Sequence, residues 1–324
     1  MIQNTILPVR WGIIGAGGIA KRFCASLAHF DNCRLYAISG RSKEKMAAFQ
    51  KEFPCDVIYT DFDALIQDEN VDAIYLALPH FLHAEWAVKA LQAHKPVLSE
   101  KPAVITTDEM KQVIQAARDS HTLYMEAMKT RFEPAYTAMK KHLSEIGDIT
   151  QISAENSSVL PPALFGKGYH TSGKGSGCLL DGGCYLTALA IDLFPGLPQV
   201  ELEDLVLKEG VDMFVRAKLA FHNGTAEIAC GFDRDIPSHA VICGTKGSIA
   251  FAPAHRPDHF TVKTAEAEKT YQVLYENDDF HGEIAHFVQL LKEGKIESDV
   301  MPWDDSLRNM EVLEEISNCW RKHA

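Results

Sequence analysis

Two charged side chains follow an apolar run in the first third of the chain. Residues 97–104 read VLSEKPAV, so Glu100 and Lys101 come directly after the run and a proline follows. Two interpretations are open. Charges commonly mark the point where a strand leaves the interior, and a lysine at a strand end can also point into a cleft, where its ammonium group can take part in chemistry.

A second stretch combines a carboxyl group with a phenol. Residues 177–193 read GCLLDGGCYLTALAIDL, in which Asp181 lies four residues before Tyr185. Residues four apart share one face of a helix if the helix starts early enough to include both. From the residues alone, an aspartate that caps the helix and a tyrosine that packs in the core explain this stretch better than a catalytic pair does.

A glycine-rich loop near the N-terminus predicts a dinucleotide site. The stretch GIIGAGGIA follows an apolar run, opens a helical pattern and has the GxGxxA spacing at Gly15, Gly17 and Ala20. The first glycine permits a tight turn, the second lets a pyrophosphate approach the backbone, and the alanine permits close packing of helix and strand. Free N–H groups at the helix N-terminus would bind the phosphates, so we expect cofactor contacts along this loop, including Gly18 and Ile19.

The end of the second predicted strand indicates which dinucleotide binds. An NAD site normally has Asp or Glu there, which binds the ribose hydroxyls. This chain instead reads AISGRS, with Ser39, Arg41 and Ser42. Arg41 can pair with a 2′-phosphate, with Ser42 and Lys45 as further contacts, so the sequence favours NADP over NAD. The alternative is that Arg41 is a solvated loop charge.

A parallel sheet is expected to position these residues. The first 126 residues alternate amphipathic helical stretches with short apolar runs, which read VRWGIIG, CRLYAIS, DVIYT, VDAIYLAL, PVLSE and TLYMEAM. Continuous apolar strands between helices predict a parallel sheet that is covered on both faces. We therefore expect an α/β fold with a Rossmann dinucleotide-binding domain over residues 1–126.

After residue 148 the pattern becomes that of an antiparallel sheet with one face on a core. The stretch DMFVRAKLAF alternates an apolar set with a mixed set, namely Met213, Val215, Ala217, Leu219 and Phe221 against Phe214, Arg216, Lys218 and Ala220. Asn223-Gly224 and the stretch GTKG at 244–247 are hairpin signals. Two helical patterns follow, near 280–292 and 304–321. The mixed face suits a subunit contact, because it is neither fully polar nor fully apolar.

Composition restricts the classes of partner. The chain has 324 residues, of which 46% are hydrophobic, and a formal net charge of −12, which argues against nucleic acid or an anionic membrane as a partner. No segment has the roughly 18 uninterrupted apolar residues of a membrane span, and the N-terminus lacks the pattern of a signal peptide. The eight cysteines form no CxxC pair and the histidines no HExxH motif. These patterns favour reduced thiols in a cytoplasmic protein and predict no metal site.

Taken together, the motifs resemble a known family. GIIGAGGIA, LPHFLHA and SEKPA are similar to the nucleotide half of the Gfo/Idh/MocA oxidoreductases. MEAMKTRFEPA, GCLLDGGCYL and ICGTKGSI most resemble the branch of dimeric dihydrodiol dehydrogenases. The resemblance implies a C-terminal α+β domain over residues 127–324, with a large, mostly antiparallel open sheet through which a homodimer forms. It leaves open whether the last helix packs back on the first domain.

The resemblance also implies roles for individual residues. Lys101 would face the nicotinamide, Tyr185 and Asp181 would complete the catalytic set, and Glu100 would position Lys101 or contact the cofactor ribose. Further contacts are implied for the cofactor at Leu78, Pro79, His83 and Arg131, and for the substrate at His80, Lys129, Phe132 and Tyr185. Many family members have histidine where this chain has Tyr185, whereas the dihydrodiol dehydrogenases have tyrosine. Lys129 is a departure, because that branch has tryptophan there, and the lost aromatic wall favours a sugar or polyol substrate.

The implied activity is hydride transfer between NADP and a carbinol or carbonyl carbon of a polyol, sugar or dihydrodiol-like substrate. Tyr185 would be the acid or base, and a nearby Lys101 ammonium would favour its phenolate. A lysine that itself transfers the proton is the alternative assignment. A different class of function, a non-catalytic NAD(P)-binding regulator of the same fold, would be expected to lack the lysine or the acid–base residue, and both are present.

Overall fold

The computed structural model describes residues 8–321, which form two sheets. The first sheet contains β1 (Val9–Ile14), β2 (Cys33–Ser39), β3 (Val57–Tyr59), β4 (Ala73–Leu76), β5 (Val97–Glu100) and β6 (Tyr124–Ala127). The second contains β7 (Ile149–Ser157), β8 (Gln199–Lys208), β9 (Val211–Phe221), β10 (Gly224–Gly231), β11 (Ile236–Gly244), β12 (Gly247–Phe251), β13 (His259–Thr264) and β14 (Glu268–Gln272).

The α-helices along the chain are α1 (Gly18–Leu27), α2 (Lys43–Glu52), α3 (Phe62–Gln67), α4 (His83–Gln92), α5 (Thr107–Ser120), α6 (Pro134–Lys140), α7 (Cys184–Leu193), α8 (His281–Lys292) and α9 (Trp303–Arg321). Short 3₁₀ helices span His80–Leu82, Lys129–Phe132, Leu143–Ile146 and Pro162–Leu164, and a π-helical turn spans Leu179–Gly183. Within residues 8–321 no helix is both long enough and apolar enough to cross a membrane.

The first sheet confirms the predicted Rossmann architecture. Its strand order is β3-β2-β1-β4-β5-β6, and every neighbouring pair is parallel. Each strand lies within one of the six apolar runs. Every residue of β4, β5 and β6 is buried, as expected for a parallel sheet that is covered on both faces.

The chain divides into two compact units. The first unit comprises the described residues up to Ala103, then Lys111–Ala127 and Glu276–Pro302. The second comprises Val104–Met110, Met128–Tyr275 and the described residues from Trp303 onward. The sequence predicts a single boundary after residue 126. In the structure, Val104–Met110 belongs in addition to the second unit, and Glu276–Pro302 returns to the first.

The helix that returns to the first unit is α8 and not the last helix. Its Phe287 contacts the indole of Trp11 in β1, with ring centroids 5.2 Å apart. Trp11 in turn packs edge-on against Phe23 of α1 at the same distance. Because all three side chains are fully buried, α8 completes the core on this side of the sheet. The last helix, α9, is part of the second unit.

The second sheet has the order β14-β13-β12-β11-β7-β10-β9-β8. All of its neighbouring pairs are antiparallel except β7 with β10, which confirms a large and mostly antiparallel sheet. The predicted inner face of β9 is confirmed, since its five side chains from Met213 to Phe221 are buried. The predicted GTKG turn is also confirmed, because Cys243 of β11 pairs with Ser248 of β12.

Two details of β9 differ from the sequence prediction. Phe221 pairs with Gly224, so the two-residue hairpin loop is His222–Asn223 and Gly224 is already in the strand. Gly224 is needed there for packing, since a Cβ atom would lie 2.5 Å from the ring of Phe194. On the mixed face, Phe214 is only 1% exposed because the Arg234 guanidinium lies 3.8 Å from its ring centroid. Phe214 is therefore not available to the predicted subunit contact.

Candidate active site

The glycine loop of the first unit has the geometry of a phosphate cradle. Gly15 has φ +104°, and a Cβ atom there would lie 2.3 Å from the carbonyl oxygen of Ala77, so only glycine fits. Gly17 precedes the first residue of α1, Gly18, and around both glycines no described atom lies within 4 Å of a built Cβ position. The first turn of α1 carries no acidic side chain. This open space before a helix N-terminus fits the pyrophosphate of a dinucleotide.

The packing behind the loop agrees with the sequence interpretation. Ala20 is fully buried on α1, as close contact of the helix with the sheet requires. The Gly15 N–H donates to the carbonyl oxygen of Ser39 over 2.9 Å, which fixes the loop to the end of β2. Ser39 itself is fully buried, and its hydroxyl donates to the carbonyl oxygen of Asp61. The hydroxyl of Ser39 thus has a partner within the protein, and its contact with the cofactor stays a prediction.

Of the three residues predicted to contact the cofactor at the end of β2, Arg41 is the one whose side chain has no partner among the described residues. It is exposed, and with the rest of residues 8–321 it makes no hydrogen bond or ion pair. Ser42 is the N-cap of α2: its hydroxyl oxygen accepts the Lys45 N–H over 3.3 Å, and the hydroxyl donates to the Glu44 carboxylate over 2.8 Å. The guanidinium at Arg41 is therefore available to a 2′-phosphate, whereas the Ser42 hydroxyl already has local partners.

His83 joins the two loops that follow β4 and β5. Its ring is fully buried, with Nδ1 2.9 Å from the carbonyl oxygen of Pro102 and Nε2 2.8 Å from that of Leu78. Burial lowers the pKa of His83, although both carbonyls favour the protonated ring, and the charge of Lys101 lowers it further. Pro79 immediately precedes the 3₁₀ helix that contains His80, which is also buried.

Lys101 is half-buried at the end of β5, and its backbone is held by the preceding carboxylate. The Lys101 N–H donates to Oε2 of Glu100 over 3.2 Å, and the hydroxyl of the buried Tyr75 donates to Oε1. The Tyr75 ring is stacked on Phe23 at 3.7 Å. Of the two roles expected for Glu100, these contacts support the positioning of Lys101.

In the second unit, Asp181 lies on the π-helical turn that precedes α7. The turn is anchored at its start, where the Leu179 N–H donates to Oδ2 of the buried Asp212 over 2.8 Å. π-Helical turns inside helices are frequent at functional sites because they change the direction of one side chain. Tyr185 follows on α7 and is 9% exposed.

His255 is a site candidate that the sequence did not indicate. Its ring centroid lies 5.6 Å from that of Tyr185, at an interplanar angle of 43°. The hydroxyl of Thr130 donates to the His255 carbonyl oxygen over 2.7 Å, so the helix Lys129–Phe132 is fastened to the same loop. No motif surrounds His255, and only the fold brings residues 130, 185 and 255 together.

Arg131, which is predicted to contact the cofactor, has buried acidic partners in its own unit. The side chain is 4% exposed, and its guanidinium binds the carboxylates of Asp192 and Asp305 at 2.9 and 3.0 Å. It also donates to the carbonyl oxygen of Ala188 over 2.8 Å, one turn after Tyr185. Arg131 therefore fixes the helix that carries Tyr185. Lys129 is buried beside it and Phe132 is half-buried, so both stay substrate-contact predictions.

A second histidine that sequence reasoning missed lies close to Asp181. Nδ1 of His170 is 3.3 Å from Oδ2 of Asp181, within the second unit. Among residues 8–321, no group of three or more His, Cys, Asp or Glu side chains is arranged to hold a metal ion. Five of the eight cysteines are buried, namely Cys24, Cys33, Cys178, Cys184 and Cys230.

Comparison with known proteins gives consistent matches over both units. Residues 9–128 match the model of an oxidoreductase family with an NAD-binding Rossmann fold, and residues 136–250 match the GFO/IDH/MocA C-terminal domain. A scyllo-inositol 2-dehydrogenase (NADP(+)) from Bacillus subtilis is 28% identical over 319 residues, 95% of each chain. A trans-1,2-dihydrobenzene-1,2-diol dehydrogenase from Danio rerio is 30% identical over 257 residues, 77% of this chain and 75% of that one.

A solved structure shows the same fold at lower identity. It is a levoglucosan dehydrogenase in complex with NADH and levoglucosan, with a TM-score of 0.87 and 22% identity over 98% of each chain.

Proposed function

Because the chain belongs to the GFO/IDH/MocA oxidoreductase family, we propose that it transfers a hydride between NADP and a hydroxyl-bearing carbon of a sugar or polyol. The observation that carries the proposal is the open phosphate cradle at Gly17 and Gly18, in the same unit as an unpaired, exposed Arg41. The cradle suits a dinucleotide, and the arginine suits the 2′-phosphate that distinguishes NADP from NAD.

The relatives and the polar side chains of the second unit support this substrate class. The named relatives act on inositol and on a dihydrodiol, compounds that carry hydroxyl groups on ring carbons. Asp181, His255 and Lys129 can each bind a hydroxyl group through a hydrogen bond. A polar compound with several hydroxyl groups fits this set better than a dihydrodiol with two hydroxyl groups.

We assign the proton to Tyr185. When bound, the nicotinamide supplies the acceptor of the hydride in oxidation and its donor in reduction. The Tyr185 oxygen accepts the hydroxyl proton of the substrate in oxidation and returns it in reduction. Asp181 binds and orients the substrate, while Lys101, whose backbone Glu100 fixes, supplies positive charge to the reaction. In the alternative assignment Lys101 itself moves the proton.

A cofactor and substrate screen tests this function. Thermal unfolding is followed with NADPH or NADH, and turnover is then measured through the absorbance of the reduced cofactor, with scyllo-inositol, D-xylose and trans-1,2-dihydrobenzene-1,2-diol. We expect a larger stabilisation by NADPH and turnover of at least one cyclic or sugar polyol. Binding of NADPH without turnover of any compound would instead support the non-catalytic regulator.

We propose that the chain forms a homodimer through the outer face of the second sheet. On that face Lys218 of β9 is the cross-strand neighbour of Glu227 in β10, and Arg216 pairs with Glu155 of β7 at 3.3 Å. Such a face is mixed in polarity, as many subunit contacts are. Light scattering that gives the mass of one chain at micromolar concentration would contradict this proposal. A cytoplasmic location stays a prediction.

A further inference from the structure

The pair of His170 and Asp181 is not used by the mechanism described above. His170 lies in the segment 164–177, between β7 and the π-helical turn, and its Nδ1 approaches Oδ2 of Asp181 to 3.3 Å. This distance is within the range of an ion pair, and Nδ1 makes no hydrogen bond with the residues that the structure describes. The Nδ1 atom is buried, although 36% of the side chain is exposed. One edge of the ring therefore faces the interior and the carboxylate.

The backbone of the segment 164–177 depends on glycine. Five glycines have positive φ, namely Gly166, Gly168, Gly173, Gly175 and Gly177. Such angles are accessible to glycine at little cost, and they let the segment reverse its direction repeatedly over a short length. The Gly177 N–H donates to the His170 carbonyl oxygen over 2.8 Å and closes the segment into a loop at His170.

The His170 ring is held from both sides. The Tyr169 ring lies 3.9 Å from it at 38°, and Phe232 meets it edge-on at 6.2 Å. The next residue, Thr171, is buried, and its Oγ1 accepts the Gly166 N–H over 2.9 Å. These contacts hold His170 in place beside Asp181, so the pair does not depend on a loosely held side chain.

We propose that His170 is a positioning residue for substrate binding, acting through Asp181. The imidazole fixes the orientation of the carboxylate, which then accepts a hydrogen bond from a substrate hydroxyl group without first losing rotational freedom. This inference rests on the proposed function, in which Asp181 binds the substrate. Because the interaction is formed on substrate binding and kept through the reaction, it acts on KM more than on kcat.

The test separates the ring of His170 from its nitrogen atoms. His170→Phe keeps the ring contacts with Tyr169 and Phe232 but removes Nδ1, whereas His170→Gln keeps an N–H donor without the ring. With scyllo-inositol and D-xylose as probe substrates, we expect His170→Phe to raise KM roughly tenfold, with a smaller change in kcat. His170→Gln should restore part of the loss, and the affinity for NADPH should stay at the parent value in both variants.

A second histidine–aspartate pair provides the control. In the same unit, Nδ1 of His259 lies 2.6 Å from Oδ1 of Asp258. His259→Phe removes that pair and should leave KM unchanged. In an Asp181→Asn background, His170→Phe should cause no further rise in KM, since the carboxylate through which it acts is gone.

The outcomes distinguish the inference from the function on which it rests. If Asp181→Asn raises KM and His170→Phe does not, or if the two effects simply add, the inference is overturned and the proposed function stands. If Asp181→Asn keeps the parent KM and kcat, the assignment of Asp181 to substrate binding fails, and the inference fails with it.

Discussion

The carboxylate of Asp212 occupies the space that a side chain at Gly177 would need. A Cβ atom on Gly177 would lie 1.9 Å from Oδ1 of Asp212. Oδ2 of the same carboxylate accepts the Leu179 N–H, two residues further along the chain. Gly177 thus permits the contact that anchors the turn containing Asp181. Other residues are excluded at this position by its φ of +123° and by the clash with Asp212.

Gly177→Ala should destabilise the second unit more than an alanine at another glycine with positive φ. Gly168→Ala is the matched control, because Gly168 has φ +83° but no described atom within 4 Å of a built Cβ. Backbone strain alone costs about 1–3 kcal/mol in either variant, and the clash adds to it at Gly177 only. Thermal unfolding should therefore give a clearly lower midpoint for Gly177→Ala. Equal midpoints would show that Asp212 moves aside without cost.

Arg41→Ala should reduce the preference for NADPH over NADH. In the parent protein the guanidinium is exposed and free to pair with the 2′-phosphate, and such a charge-assisted contact changes affinity by roughly tenfold or more. Fluorescence titration with both cofactors measures the ratio of the two dissociation constants. Lys51→Ala removes a positive charge from the last turn of α2 and should leave the ratio unchanged. Equal affinities in the parent protein would refute the assignment of Arg41.

Arg131→Met should lower the free energy of unfolding by about 3–5 kcal/mol, because it leaves the largely buried carboxylates of Asp192 and Asp305 without their shared cation. Denaturant unfolding measures this loss. Lys140→Met is the control, since Lys140 binds the same Asp192 at 2.9 Å but is 42% exposed, so its loss should cost at most about 1 kcal/mol. A stable Arg131→Met variant with weakened NADPH binding would restore the original cofactor assignment.

The stability that His83 contributes should decline as the pH falls. Burial lowers the pKa of His83 in the folded chain below its ordinary value of 6.5, so below that pH the unfolded chain binds a proton that the folded chain does not. Protonation therefore favours unfolding as the pH decreases from 6.5. The stability difference between the parent protein and His83→Gln, measured by denaturant unfolding, should be smaller at pH 5.5 than at pH 7.5.

The control for this pH dependence is His29→Gln, which changes an exposed histidine next to α1. The stability difference between the parent protein and this variant, measured at both pH values, gives the contribution of an exposed histidine for comparison. If His83→Gln behaves like His29→Gln, the pKa of His83 is not lowered by folding.

Tyr185→Phe should reduce turnover by roughly 10²–10⁴-fold, because it removes the hydroxyl and keeps the ring that packs near His255. Lys101→Met should reduce turnover too, and the two losses should not add, since both changes act on the transfer of one proton. The measurements are kcat for both single variants and the double variant, together with NADPH affinity, which should survive in Tyr185→Phe. Near-parent turnover of Tyr185→Phe would leave the tyrosine a packing role and assign the proton to Lys101 or to another residue.

The sequence predicted those features that local pattern encodes. Six apolar runs predicted the six parallel strands, and the spacing of Gly15, Gly17 and Ala20 predicted the glycine loop that precedes α1. The predicted hairpin loop before β10 is wrong by one residue, because Gly224 pairs with Phe221 and is part of the strand. There Gly224 packs against the ring of Phe194.

The features that the sequence missed depend on contacts between distant residues. His255 approaches Tyr185 across 70 positions of chain, and neither residue lies in a motif that includes the other. The partners of Arg131, Asp192 and Asp305, are also remote in the chain, so the sequence did not identify the buried acids that this arginine binds. Periodicity reports which face of an element is buried, but it does not identify the partner of a buried charge.

The division of the chain into two units has an evolutionary consequence. Arg41 and the glycine loop belong entirely to the first unit, whereas Asp181, Tyr185, His170 and His255 belong entirely to the second. The glycine loop is held by hydrogen bonds and packing within the first unit, and the second set is held by contacts within the second unit. Under the proposed function, a substitution at Arg41 can therefore change the preferred cofactor without altering Asp181 or Tyr185. A lineage with this architecture can acquire new substrates while it keeps the coenzyme pool that it already uses.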